Sequence, residues 1–366
     1  VNIALFHTTL PEPDRKVGGV EAVVHRLANA LTTHTAHNVT VFSLTPAPTD
    51  ALYEHTHLFP SLPALHEQSV LRWGVLPLLL NAVSFRDHDV LHLHGDDWFF
   101  VRRGLPTVRT MHGSALEEAR TASSWKRRWA QRLIYPLEHI ATRLATLPLS
   151  IGPHTASLYG IDQLVNNGVD PERFYPGPKA SAPRLLFVGT WAGRKRGAFL
   201  FDTFVERVLP AVPDATLQMV SDTVSDACRR HPQVEVFAHP SDETLARLYR
   251  EAWVFASSSV YEGFGLPYVE AMASGTAVVC SPNGGAEYVL DDGAYGAIVE
   301  DAEFGATLAH LLTSTDARRS WEEKGRQRAE AFTWAAIART HETLYERVAS
   351  GRAALSSSPS LPPASA

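Results

Sequence analysis

Short, largely apolar runs recur along this chain, each followed by a loop and then by a stretch with helical periodicity. A strand that is apolar on both faces must be covered on both faces, and parallel strands joined by crossover helices are the usual solution. Val1 to Phe6 reads as the first such strand, with a Gly-bearing loop from His7 to Gly19 and a helix from Val20 to Leu31 behind it. Val39 to Leu44, Val90 to His94 and Thr107 to Met111 continue the pattern, which runs to about Leu149.

The segment Asn166 to Pro183 carries four prolines among polar residues and reads as a linker. A second series follows, with strands expected at Arg184 to Gly189, Thr216 to Val220, Val234 to Ala238, Trp253 to Ser257 and Ala277 to Cys280. Helices fit at Ala198 to Leu209, Asp242 to Glu251 and Pro267 to Ser274. At 366 residues the chain exceeds what one core usually serves. The reading is therefore α/β, with two Rossmann-like domains at 1–170 and 171–332. A terminal helix at 333–348 completes the first, and a Ser/Pro/Ala tail at 350–366 is expected to be disordered. Ligands of such sheets bind beyond the carboxyl ends of the strands.

Composition removes several classes of function. Hydrophobic residues make up 45% and charged residues 20%, and the formal net charge is -6, which gives no basic face for nucleic acid. Cys228 and Cys280 are too few for a disulfide framework or a cysteine-rich zinc site, and reduced, buried thiols are expected. No stretch reaches the roughly 18 to 20 apolar residues of a membrane span, and Val1 to Phe6 reads as a strand and not as a secretory leader. The expectation is a soluble, cytoplasmic protein. Trp125, Lys126, Arg127, Arg128 and Trp129 suit an anionic membrane surface. A solvated helix with both tryptophans packed inward is the preferred reading, so peripheral membrane contact is the lesser expectation.

The chemistry concentrates in Tyr261 to Gly275, where a Gly-Phe-Gly turn leads into a helix with Pro267 in its first turn. Free backbone N–H groups at such a turn suit an anion or sugar hydroxyls. Glu262 and Glu270, eight positions apart, can face one ligand, and carboxylates are good acceptors for vicinal hydroxyls. Gly18-Gly19 opens a helix after the first strand, where a backbone can approach a pyrophosphate. Gly189 to Gly197 follows the first strand of the second half and holds Arg194, Lys195 and Arg196, cations able to neutralise a leaving diphosphate in place of a metal.

These segments resemble the Glu-x7-Glu motif and glycine loops of the family 4 retaining glycosyltransferases, which have the GT-B fold: two Rossmann-like domains facing each other across a donor-binding cleft. The resemblance runs from Val1 to about Val348. It implies that Glu270 binds the nucleotide ribose and Glu262 the donor sugar, with amides near Phe264, Gly265 and Leu266 on sugar and phosphates. It implies that Lys195, with Arg194 or Arg196, faces the diphosphate, although Thr190 stands where the family usually has an Arg. His112, at a strand end, resembles the family histidine that contacts the donor sugar near the reacting carbon. His92 and His94 read as structural or acceptor-side. Gly284-Gly285-Ala286-Glu287 resembles a further donor-site loop that places Glu287 nearby, and Asn167-Gly168-Val169-Asp170 resembles the family's hinge segment.

The activity implied is hexosyl or N-acetylhexosaminyl transfer, with retention, from a nucleotide diphosphate sugar (UDP by default) to an acceptor hydroxyl. Neither a metal nor a separate cofactor is expected. Asp87-His88-Asp89 would be a metal motif in another glycosyltransferase fold, but it precedes a strand and so lies at the wrong sheet edge. The alternatives are a nucleotide-sugar epimerase of similar fold, which would act on donor alone, and a non-catalytic sugar-binding module.

Overall fold

The computed structural model describes residues 1–12, 19–101, 104–121 and 124–351. Gly18 and most of the 350–366 tail lie outside them. The chain divides into two compact units: among the described residues, Val1–Ala119, Lys126–Gly168 and the terminal segment 334–351 form the first, and Val169–Thr333 with Arg120–Trp125 form the second.

The first unit is built on seven strands: β1 Asn2–Phe6, β2 Asn38–Ser43, β3 Glu54–His57, β4 Val90–Leu93, β5 Thr107–Met111, β6 Leu147–Ser150 and β7 Gln163–Leu164. Their order is β3-β2-β1-β4-β5-β6-β7, and the pairs are parallel. The second unit has β8 Arg184–Val188, β9 Thr216–Val220, β10 Val234–Phe237, β11 Val254–Ser257, β12 Ala277–Cys280 and β13 Ala297–Ile298. Its order is β10-β9-β8-β11-β12-β13, again with parallel pairs. Each sheet thus reverses direction once, between β1 and β4 and between β8 and β11. In a doubly wound sheet, loops part at that point beyond the carboxyl ends and leave room for a ligand.

Burial explains the choice of residues. Every residue of β4, β5, β11 and β12 is buried, as an internal strand covered by helices on both faces requires. β3, Glu-His-Thr-His, is an exposed edge strand with no apolar run, and β7 and β13 are two residues each. The Ala198 to Leu209 helix expected from the sequence is an α-helix only over Gly197–Thr203 and continues as a π-helical stretch over Phe204–Val208.

The chain passes from the first unit to the second after Gly168 and returns at Trp334. Gly168 lies against the Trp334 ring, where an added Cβ would fall 2.3 Å from Cδ2. The proline-rich stretch that follows is ordered against the second unit. Phe174 is buried edge-on to Tyr249, and Ala180 N–H donates to Glu251 O at 3.0 Å. Both cysteines are free and buried, and burial pushes the Cys228 thiol up to about 11.

One expectation is overturned here. In the helix Trp125–Leu144 the two tryptophans do not pack inward: Trp125 is 68% and Trp129 58% exposed. The inward face is carried by Ile134 and Ala141, which join Trp98 and Ala115 in a small core.

Phe204 is fully buried in the principal core of the second unit, among Phe187, Leu200 and Phe304. Phe204→Ala should lower the stability of that unit by about 3–5 kcal/mol, read as a drop in its urea midpoint at unchanged slope.

Candidate functional site

The loops beyond β8 and β11 meet at the reversal of the second sheet. After β8, a single 3₁₀ turn Gly193–Lys195 ends at Arg196, whose φ of 51° turns the chain back into the following helix. The three adjacent cations are thereby sent in different directions. Arg194 Nη1 donates to Glu262 Oε2 at 2.8 Å and to the Tyr261 carbonyl at 2.8 Å. Lys195 Nζ donates to Glu262 Oε1. Arg196 turns away: it forms a two-pronged pair with Asp301 at 2.7 Å and donates to Ser258 O and Ser281 Oγ. Arg196 therefore holds the loop in place, and Arg194 is the cation that accompanies Lys195.

Glu262 is 6% exposed. Burial alone would raise its carboxyl, but the charges of Lys195 and Arg194 outweigh burial and hold it below the ordinary carboxylate value. It is therefore an ionised, oriented acceptor and not a proton donor. The trio carries a net positive charge.

The turn after Glu262 is fixed by glycine at two points. Gly265 has φ 96°, and a Cβ there would fall 2.4 Å from Tyr268 Cδ2. A Cβ on Gly285 would meet the Phe264 carbonyl at 2.7 Å and Glu262 Cβ at 2.8 Å. The Glu262–Phe264 loop thus rests on the backbone of the helix Gly284–Val289. Among the described residues, the amides of Phe264, Gly265 and Leu266 make no hydrogen bond, and Leu266 begins the helix Leu266–Ala273. Those N–H groups are the ones a phosphate or a sugar hydroxyl would take.

Glu270, on that helix, is half-buried. Its charge acts on the phenol of Tyr249, which burial first and Glu270 second hold well above its ordinary value. Glu287 is exposed on the helix Gly284–Val289. Sequence reasoning missed Asn283. Its side chain caps that helix through Ala286 N–H at 2.9 Å and donates to Ser259 O and the Tyr268 hydroxyl, tying three loops together. A Pro-Asn-Gly-Gly helix start was the available signal.

At the corresponding edge of the first unit, His112 follows β5 and its Nε2 lies 2.9 Å from His94 Nδ1. His94 in turn lies over His92, with ring centroids 3.9 Å apart. His92 contacts the Tyr345 hydroxyl at 2.6 Å and Thr110 Oγ1 at 2.8 Å. These imidazoles are neutral. Burial first, then electrostatic repulsion from the neighbouring His7 and Arg109, pushes His112 down to about 3. Burial likewise takes His341 to about 4, and His92 and His94 well below the usual range. A neutral His112, with one nitrogen occupied by His94, presents the other as a single directed hydrogen-bonding atom. Gly19 begins the helix Gly19–His34, and a Cβ on it would meet nothing within 4 Å. Asp89, of the Asp-His-Asp motif, accepts from Asn2 N–H at 2.8 Å at the opposite edge of the sheet, where it anchors β1.

The buried histidines predict an acid-sensitive fold. Their folded values lie below that of the unfolded chain, so on acidification the unfolded state binds protons first and stability falls with pH. Their effect is absent above about pH 7. Between the unfolded value near 6.5 and their own values, His112 and His341 should each remove about 1.4 kcal/mol per pH unit. A urea titration series should show this slope, and His341→Gln should reduce it.

Known proteins match both units. Residues 17–173 match the family described as Glycosyltransferase Family 4, and residues 182–314 that described as Glycosyl transferases group 1. The GDP-mannose:cellobiosyl-diphosphopolyprenol alpha-mannosyltransferase of Xanthomonas campestris is 29% identical over 72% of this chain and 75% of its own. The D-inositol 3-phosphate glycosyltransferase of Frankia alni is 31% identical over 69% and 72%. Among solved structures, sucrose-phosphate synthase from Thermosynechococcus elongatus superposes with a TM-score of 0.74 at 23% identity, covering 96% of this chain and 99% of that one. That likeness places the paired Rossmann-like sheets in the GT-B class. Two sheets of one winding, a carboxylate held by two cations at the reversal of the second, and these matches lead to one conclusion: the chain belongs to glycosyltransferase family 4 and uses a nucleotide-sugar donor.

Proposed function

We propose that this protein transfers a hexosyl residue, with retention and without a metal, from a nucleoside diphosphate sugar to a hydroxyl of a glycan or glycan-bearing lipid. The observation that carries the reading is the Glu262–Lys195–Arg194 group at the reversal of the second sheet. Departure of the diphosphate builds negative charge. Two cations already oriented by a buried carboxylate meet that charge with little reorganisation. In this reading Glu262 accepts from donor-sugar hydroxyls and Glu270 from the ribose. The amides of Phe264, Gly265 and Leu266 hold phosphate and sugar oxygens, with Gly18 and Gly19 supplying further backbone. The neutral His112 hydrogen-bonds the sugar, and Glu287 stands by the donor as an exposed carboxylate. The sugar becomes oxocarbenium-like and is attacked from the face the diphosphate leaves. The departing oxygen takes the acceptor proton.

Uridine diphosphate was the default expectation for the nucleotide. The Xanthomonas relative is named for GDP-mannose and a polyprenol-linked acceptor, which favours GDP-mannose as the first donor to try. A thermal-shift screen of nucleotide sugars tests the donor, because a ligand bound only to the folded state raises its stability. A rise with one donor supports the reading, and no rise with any diphosphate sugar sinks it.

Lys195→Ala should reduce turnover about 10²–10³-fold with the fold intact, the scale of losing one preorganised charge-stabilising donor. Glu262→Gln should fail comparably. Full transfer by the Gln variant would remove Glu262 from the proposed machinery. Gly285→Ala forces the Glu262 loop outward. It should cost about 1–3 kcal/mol in stability and reduce turnover more than tenfold, which single-turnover kinetics on the purified variant would show.

A further inference from the structure

The helix Trp125–Leu144 carries two apolar faces, and the core of the first unit uses only one. At about 100° per residue, Trp125, Trp129, Leu133, Pro136, Ile140 and Leu144 fall within one arc of about 100°, away from the buried Ile134 and Ala141. Leu133 is 70% exposed, more than either tryptophan. This is a continuous apolar stripe along some five turns of helix, in contrast to the scattered exposed residues of an ordinary surface.

Charge indicates what covers it. The chain has a formal net charge of -6, yet this helix bears five basic residues, Lys126, Arg127, Arg128, Arg132 and Arg143, against one acid, Glu138. That acid is turned inward, where it accepts from Ala115 N–H at 3.1 Å and from the Tyr159 hydroxyl. Lys126, Arg132 and Arg143 flank the stripe, and Arg132 lies over the Trp129 ring at 5.5 Å. A second copy docking by the same face would bring two cationic strips together, which like-charge repulsion opposes. An anionic lipid surface satisfies both features. Indole rings suit the headgroup–acyl boundary, and cations beside them meet phosphates. No helix among the described residues is long and apolar enough to cross a membrane.

We propose that the helix Trp125–Leu144 docks this protein flat on an anionic phospholipid surface, with Trp125, Trp129 and Leu133 buried at the headgroup boundary and Lys126 and Arg132 against lipid phosphates. The helix precedes β6 and runs antiparallel to it. Its tryptophan end therefore lies toward the edge of the first sheet that carries His112, and a docked helix holds that edge near the lipid. The inference sharpens the acceptor half of the proposed reaction toward lipid-borne acceptors, but its test needs neither donor nor acceptor, so either can fail alone.

The full chain is floated with vesicles of phosphatidylcholine, with and without phosphatidylglycerol. The protein should rise with the anionic vesicles only. Trp125→Ala/Trp129→Ala should weaken partitioning at least about tenfold with an unchanged thermal midpoint. Lys126→Ala/Arg132→Ala should weaken it by a similar factor, since each cation near such a surface is worth roughly fivefold. Absence of the wild-type chain from the anionic vesicles overturns the proposal, as does binding by both variants at the wild-type level. Light scattering that shows a dimer dissociated by the tryptophan variant overturns it in favour of a second copy.

Discussion

A carboxylate as buried as Glu262 cannot remain charged unless its desolvation is compensated, and here two cations from one turn compensate it. That requirement couples the loop after β8 to the loop after β11 more tightly than their shared sheet edge would. It also explains the supporting residues. Arg196 must fix its own turn on Asp301 and Ser258 so that Arg194 and Lys195 face the other way. Gly285 must lack a side chain so that the Glu262 loop can settle. Asn283 must hold the exits of β11 and β12 in register with the Tyr268 helix. Remove the charge compensation and the loop has no reason to stay.

The first unit meets the opposite problem by the opposite means. Its functional edge is lined with histidines that burial keeps neutral, so it offers direction without charge. The difference suits the division of labour proposed above. A leaving diphosphate needs cations, whereas sugar hydroxyls need single, well-aimed hydrogen-bonding atoms. Tyr345, from the terminal helix Trp334–Ala349, anchors His92 under this group, so the last helix of the chain supports side chains placed far earlier in the sequence.

How much of this was legible in the sequence depends on how local each cause is. Thr107–Met111, Thr216–Val220 and Ala277–Cys280 are strands at the bounds the apolar runs suggest, because internal strands are buried along most or all of their length. β3 was illegible, because an exposed edge strand needs no apolar pattern. The Glu262–Lys195 contact spans 67 positions, and nothing local encodes it; the family resemblance pointed to both residues but not to their pairing. Arg194 and Arg196 were indistinguishable in a basic run, because the left-handed conformation of Arg196, which turns it away, is set by packing and not by composition. The tryptophans were misread for a related reason. The helix has two apolar stripes, and periodicity reports that a stripe exists without saying which one the core has taken.

That last ambiguity bears on the chain's electrostatics. Cations serve two ends here, and their surroundings decide which. Arg194 and Lys195 lie against a buried carboxylate in a turn that allows little motion, so their charge is directed and selective for a ligand of matching shape. The cations flanking Trp125, Trp129 and Leu133 sit on an exposed helix beside apolar surface, where charge adds adhesion without discrimination. The chain is negative overall, yet it presents cations in two contrasting settings, one directed by a buried carboxylate and one beside exposed apolar surface. On the proposed reading the second setting bears on the first, because a protein docked on a lipid surface would search for its acceptor in two dimensions.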